Sequence, residues 1–204
     1  MGGTIFWLIM GGSLILAAYE WVGLAKQTKR KMLISAAGII YLIICYDSFI
    51  SLRLHFESGL YLTLALLLSV WTSDIGAYAC GKKFCGPKMI PSISPNKTWA
   101  GFIGAAVLSG IMMTSVYLAG PFVTDLFKTE LILPFGSPAI AFALGFFITF
   151  SGQAGDLLIS MLKRRAGAKD SGKLIPGHGG LLDRIDSLLM SSLFFFVAVK
   201  LLGH

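Results

Sequence analysis

Six long apolar runs leave this chain very few ways to fold. They extend from Ile5 to Leu24, Leu33 to Ile50, Leu60 to Ala79, Trp99 to Leu118, Pro138 to Ile159 and Ile185 to Leu202. Each is near the roughly 20 residues that carry a helix across a bilayer. Hydrocarbon offers backbone N–H and C=O groups no partner, so a spanning segment must be a helix or part of a closed barrel. A barrel would require many short stretches of alternating polarity, and the sequence has none. Mean hydropathy is +0.78 and 55% of residues are hydrophobic, well above a soluble domain. The expected fold is therefore all-α: a polytopic transmembrane helix bundle of about six spans, in one membrane domain covering residues 1–204. The second and last runs contain or abut charge and are the weakest of the six.

The charges give the topology. A net charge of +7 could suggest nucleic acid, but the basic residues are sorted by loop rather than gathered on one soluble face, so no nucleic acid partner is expected. Lys26, Lys29, Arg30 and Lys31 fall in loop one, Lys82, Lys83, Lys88 and Lys97 in loop three, and Lys163, Arg164, Arg165, Lys169, Lys173 and Arg184 in loop five. Only Arg53, Lys128 and Lys200 belong to the other side. The positive-inside rule then places loops one, three and five in the cytoplasm and both termini outside. The first run lacks a basic leader and ends at a basic stop, which favours a retained anchor over a cleaved signal. Glu20 in that run reads as an interfacial residue beside Trp21, with lining of a lipid path as the alternative. Cys45, Cys80 and Cys85 lack metal-type spacing and read as reduced thiols.

Loop five carries the chemistry. Between Ser160 and Asp186 the sequence SMLKRRAGAKDSGKLIPGHGGLLDRID concentrates charge in a chain where only 13% of residues are charged. Ionised groups at a membrane boundary are costly unless paired or solvated. The fifth helix should continue past the membrane surface, which puts Asp156, Ser160 and Lys163 on one face. The glycines that follow break the helix and let backbone N–H groups approach an anion. Asp183 and Asp186 then lie three apart at the start of the sixth helix. Carboxylates so placed can hold a hard divalent cation, and Mg²⁺ commonly takes one or two of them together with substrate phosphates. Metal and cations within one loop are what phosphoryl chemistry needs. Taken singly, the basic triplet is more often a lipid anchor, Asp183-Arg184-x-Asp186 a capped helix start, and His178 a turn residue.

Ser160-x-x-Lys163-Arg164, then Lys169-Asp170, Gly172, Ile175-Pro176, His178-Gly179-Gly180 and Asp183-Arg184-x-Asp186 together resemble the signature of the phosphatidate cytidylyltransferases, or CDP-diacylglycerol synthases, without a mismatch. A second stretch, Trp71-x-x-Asp74-x-x-Ala77-Tyr78 followed by Ser94-Pro95-Asn96-Lys97-Thr98-Trp99 and Gly101, is similar to the family's other characteristic region. The resemblance runs from about Trp71 to the C-terminus, and segments 71–101 and 156–187 are expected to hold the site. Asp74 taken alone is either a functional intramembrane carboxylate or an interface marker near the cytoplasmic end of its span. Ser94 to Thr98 reads as a turn feeding a helix, with Thr98 or Asn96 as its cap. Many members are longer at the N-terminus, so the chain is expected to lack two or three early helices. Ala100 stands where many members carry an acidic residue.

The resemblance implies transfer of CMP from CTP to phosphatidate, giving CDP-diacylglycerol and pyrophosphate. It assigns catalysis to Asp156, Lys163, Arg164, Lys169, Asp183, Arg184 and Asp186, with Asp156, Asp183 and Asp186 holding Mg²⁺ and able between them to share a second ion. Asp74, Ser94, Asn96, Lys97, Asp170, His178, Gly179 and Gly180 would bind substrate. The expected setting is a bacterial inner membrane with the site facing the cytoplasm, as a single copy or a homo-oligomer. Three rival readings stand beside this one: a transferase acting on another lipid phosphate, a transporter or channel with loop five as its gate, and a scaffold without turnover.

Overall fold

The structure is a computed structural model and describes residues 3–127, 133, 135–174 and 179–203. Six helices account for nearly all of it: α1 (Gly3–Ala25), α2 (Lys31–Leu54), α3 (Gly59–Phe84), α4 (Trp99–Phe127), α5 (Pro138–Arg165) and α6 (Leu182–Leu202). All six are long and apolar enough to cross a membrane, so the chain is an integral membrane protein. Each apolar run of the sequence lies within one helix. The helices overrun the runs, since a helix does not stop where hydrocarbon does. Thus α3 continues through Lys82 and Lys83 to Phe84, and α5 carries Lys163, Arg164 and Arg165 in its last turn.

Helix α3 packs along α4, α4 along α5 and α5 along α6, while α1 and α2 close the bundle against α6. Lipid tails are as apolar as leucine, so helices associate through close backbone approach and interhelical hydrogen bonds. Both occur here. A methyl group added at Gly76 would come within 2.7 Å of the Gly104 carbonyl, so α3 and α4 meet backbone to backbone. Across the bundle, Thr149 donates to Ser73 at 3.2 Å, Ser191 to the Ile148 carbonyl at 3.0 Å and Ser192 to the Cys45 carbonyl at 3.1 Å. The three cysteines are free thiols. Two apolar clusters divide the interior. One joins Trp21, Leu42, Ile159, Leu182 and their neighbours. The other joins Leu52, Leu66, Met113, Ile148 and Phe195. The first underlies loop five.

One feature departs from an all-helical reading. Ser94 to Thr98 is not a turn but strand β2 (Ser94–Thr98), paired antiparallel with β1 (Lys88–Ile90), with Lys88 opposite Thr98 and Ile90 opposite Ser94. The register shifts between Lys88 and Ile90. In a two-stranded ribbon every strand is an edge, so Pro95 can sit in β2 without breaking a ladder on both sides. Thr98 caps α4 as expected, its Oγ1 accepting from the Gly101 N–H at 3.1 Å.

Candidate active site

The ends of α1, α3, α5 and α6 and the β-hairpin bring ionisable groups to one end of the bundle, and two ion pairs organise them. Lys97 extends from β2 to α5, where its Nζ lies 2.5 Å from Asp156 Oδ2 and 2.7 Å from Gln153 Oε1. Asp156 also accepts from Ser160 Oγ at 3.1 Å, the one-turn spacing anticipated for this face. At the end of α5, Lys163 Nζ lies 2.6 Å from Asp183 Oδ1 at the start of α6. Asp183 Oδ2 accepts from the backbone N–H groups of Ser171 at 2.7 Å and Gly180 at 3.1 Å. Ser171 Oγ lies 3.0 Å from the same oxygen.

Asp186 completes the first group. A methyl at Gly155 would come within 2.5 Å of the Asp186 carbonyl, so α5 and α6 touch where Asp156 and Asp186 stand. These two carboxylates lie within electrostatic reach of each other and of Lys97. Asp74, ten residues before the end of α3, lies within electrostatic reach of Asp156 and Lys97. Asp186 is 9% exposed, and among the described residues its carboxylate accepts from the N–H of Ser187, at 2.7 Å. One N–H is thin company for a buried carboxylate. Asp74, Asp156 and Asp186, from three helices, thus all lie within electrostatic reach of Lys97.

Not every residue singled out from sequence meets there. Arg164 turns to the hairpin, its Nε donating to the Ile93 carbonyl at 3.3 Å. Lys169, Asp170, Lys173, Tyr19 and Gln27 line a groove of about 420 Å³ between the end of α1 and loop five. Arg184 and Asn96 are exposed and Ser94 half-buried. Gly179 adopts a positive φ of 85° and lies against Asp170 and Asp183; this left-handed turn favours glycine. His178 lies outside the described residues, as do Ile175 and Pro176. Of the three carboxylates expected to share a cation, Asp156 and Asp186 are brought together, while Asp183 is turned to Lys163 and the loop.

Sequence reasoning missed two residues and underrated a third. Gln153 and Ser171 are polar residues of common type and give no sign in isolation. Glu20 does more than the reading of an interfacial residue implied: it is 3% exposed, and it accepts from Leu181 N and Leu182 N, each at 2.9 Å, and from Ser171 Oγ at 2.8 Å. It therefore satisfies the open N–H groups at the start of α6 from a helix more than 150 residues earlier. As the one charged residue of α1, it carried the signal expected of an intramembrane carboxylate.

The donor set suits a hard cation. Asp74, Asp156 and Asp186 offer oxygens only, the ligand type Mg²⁺ prefers. Among the described residues no three acidic, thiol or imidazole groups form a ready-made cage. Mg²⁺ usually completes its octahedron with water and phosphate oxygens rather than with protein alone.

The protein is thus a polytopic helical membrane protein with two lysine–aspartate pairs gathered at one end of its bundle. The pattern of the cytidylyltransferase family matches residues 8–202, and the chain belongs to that family. The match takes in α1 and α2, which lie outside the stretch of resemblance read from the motifs. The chain is similar to the phosphatidate cytidylyltransferase of Brucella suis biovar 1 (strain 1330), 37% identical over 201 residues that make up 96% of this chain and 66% of that protein. It is likewise 37% identical to the phosphatidate cytidylyltransferase of Bacillus subtilis (strain 168) over 78% of this chain and 56% of the relative. It is 39% identical to the uncharacterized protein YnbB of Escherichia coli (strain K12) over 72% of this chain and 45% of that protein. The chain thus spans just under two-thirds, or less, of the length of these relatives.

Proposed function

We propose that this chain transfers CMP from CTP to phosphatidate, forming CDP-diacylglycerol and pyrophosphate with Mg²⁺, at the cytoplasmic face of a bacterial inner membrane. The observation that carries the reading is the pair of lysine–aspartate bridges at the ends of α5 and α6 beside Asp74 and Asp186, in a chain of this family. The attacking group is an anionic phosphate, so no strong base is required and catalysis rests on positioning and charge neutralisation. Bound Mg²⁺ would supply the charge that draws the triphosphate to Asp156 and Asp186 and eases departure of pyrophosphate.

The chain's own residues do the rest. Without substrate, Lys97 neutralises Asp156 and Lys163 neutralises Asp183. A triphosphate offers the Lys97 ammonium new oxygens, and a Lys97 that turns to phosphate frees Asp156. Asp156 and Asp186 would hold the cation, while Asp183, engaged by Lys163 and the N–H groups of Ser171 and Gly180, would keep the framework in place. Lys169, which lines the groove beside loop five, would meet a phosphate arriving from water.

Purified protein in nanodiscs, given CTP, Mg²⁺ and phosphatidate, should release pyrophosphate and accumulate CDP-diacylglycerol only when all three are present. A folded sample that does neither removes the reading, and a substrate panel of other lipid phosphates decides between phosphatidate and a relative of it. For sidedness, Cys85 is exposed in the β-hairpin region while Cys45 is buried. A membrane-impermeant maleimide should label inside-out vesicles and spare intact spheroplasts; the reverse result inverts the topology.

A further inference from the structure

Glu20 holds more of the site than its place in the first span suggests. Both of its oxygens are engaged: Oε1 accepts from Leu181 N at 2.9 Å, and Oε2 from Leu182 N at 2.9 Å and Ser171 Oγ at 2.8 Å. Ser171 Oγ also lies 3.0 Å from Asp183 Oδ2, so one hydroxyl stands between two carboxylates. Asp183 in turn binds Lys163. A continuous path therefore runs from α1 through Ser171 and Asp183 to Lys163 on α5. Glu20 also accounts for glycines of the signature. A methyl at Gly172 would approach Glu20 Oε1 to 2.6 Å, and one at Gly180 would collide with both the carboxylate and Ser171 Oγ. Loop five is thus moulded around a side chain from the opposite end of the sequence. Placing a carboxylate alone in an apolar span is costly, and nothing else in α1 is charged.

We infer that Glu20 is a positioning residue: by tying Ser171 and the first turn of α6 to α1, it sets the Asp183–Lys163 pair against the Asp156–Asp186 cluster and so tunes the site's affinity for divalent cation. The assignment of cation and nucleotide rests on the function proposed above, whereas the tie itself does not.

The test uses the full chain in nanodiscs with Glu20→Gln, Glu20→Asp and Ser171→Ala. An amide in place of the carboxylate turns an N–H₂ toward at least one of three donors. Hydrogen exchange, read on peptides containing Ser171, Leu181 and Leu182, should accelerate in Glu20→Gln by about 10-fold or more, and Glu20→Asp should recover part of the protection. Mn²⁺ binding followed by electron paramagnetic resonance, which needs no turnover, should weaken by about 10- to 100-fold, the usual cost of losing a group that orients a metal ligand. Half-saturating Mg²⁺ in the turnover assay should rise in parallel, a change that a smaller folded fraction would not produce. Unchanged protection together with Mn²⁺ binding within twofold of wild type would overturn the inference. Should Glu20→Gln fail to fold, Ser171→Ala decides: it keeps the α6 N–H bonds and removes only the shared hydroxyl, so Mn²⁺ binding must still weaken, and an unshifted value overturns the inference. A wild-type protein without cytidylyl transfer, in which exchange and Mn²⁺ binding nevertheless respond to Glu20, would reject the proposed reaction and leave the positioning role standing.

Discussion

The two lysine–aspartate bridges look alike in length, 2.5 Å for Lys97–Asp156 and 2.6 Å for Lys163–Asp183, but they are built for different duties. Side-chain exposure is 18% and 30% in the first pair and 13% and 10% in the second. Asp156 has little beyond the ammonium and one hydroxyl. Asp183 has the ammonium, two backbone N–H groups and the Ser171 hydroxyl within reach. Attraction between the first two charges is weakened by nearby water, so the pair can open when phosphate and metal offer better partners. The second is part of the framework, since a carboxylate with several donors in a poorly solvated place is expensive to disturb. One bridge is a latch and the other a hinge pin.

That contrast can be broken, most forcefully at the framework. Lys163→Met leaves Asp183 partly buried without its counter-charge, though still with its loop donors, a change expected to cost about 1–3 kcal/mol. Thermal unfolding in detergent should show that loss directly. A melting temperature near wild type would mean Lys163 is as exchangeable as Lys97. Next, Asp186→Asn and Asp156→Asn should each reduce turnover by about 10²- to 10³-fold, the scale of removing one preorganised electrostatic contact, while circular dichroism remains that of the folded bundle. Near-normal rates in either variant would exclude that carboxylate as an essential ligand.

Lys97→Met sharpens the comparison from the other side. Because its bridge is the more solvated, stability should fall by no more than about 1 kcal/mol, while turnover drops because a phosphate-binding cation is gone. A loss of stability matching Lys163→Met would erase the distinction. The smallest effect concerns salt. Partly exposed pairs are screened with a Debye length of about 10 Å at 0.1 M. Raising ionic strength should therefore narrow the stability difference between wild type and Lys97→Met and leave that between wild type and Lys163→Met almost unchanged. Parallel titrations of both variants check this.

Much of the site was legible one element at a time. The pairing of Asp156 with Ser160 follows from helical spacing alone, and residue type narrows the cap of α4 to Thr98 or Asn96, of which the structure picks Thr98. Partners across elements were not legible. Nothing in the local sequence of Lys97 tells that it reaches Gln153 and Asp156, because that contact depends on how the hairpin folds over α5. The hairpin itself escaped notice because β1 has three residues and β2 five, too few to show a period of two, and Pro95 reads as a turn signal. Spacing put Asp183 and Asp186 on one helical face but could not tell that Lys163 and the N–H groups of Ser171 and Gly180 engage Asp183.

The linear chain determined the six spans, their alternation and the placement of charge at one membrane end, since hydrophobic length and basic-loop bias act locally and need no knowledge of neighbours. Tertiary structure alone decided which charges meet. It set Glu20 of the first helix beneath the N-terminus of the last, turned Asp183 toward Lys163, and brought Asp156 and Asp186 to the contact between α5 and α6. The physical reason is that desolvated charges take whatever partner packing brings within about 3 Å, and packing is a property of the whole bundle.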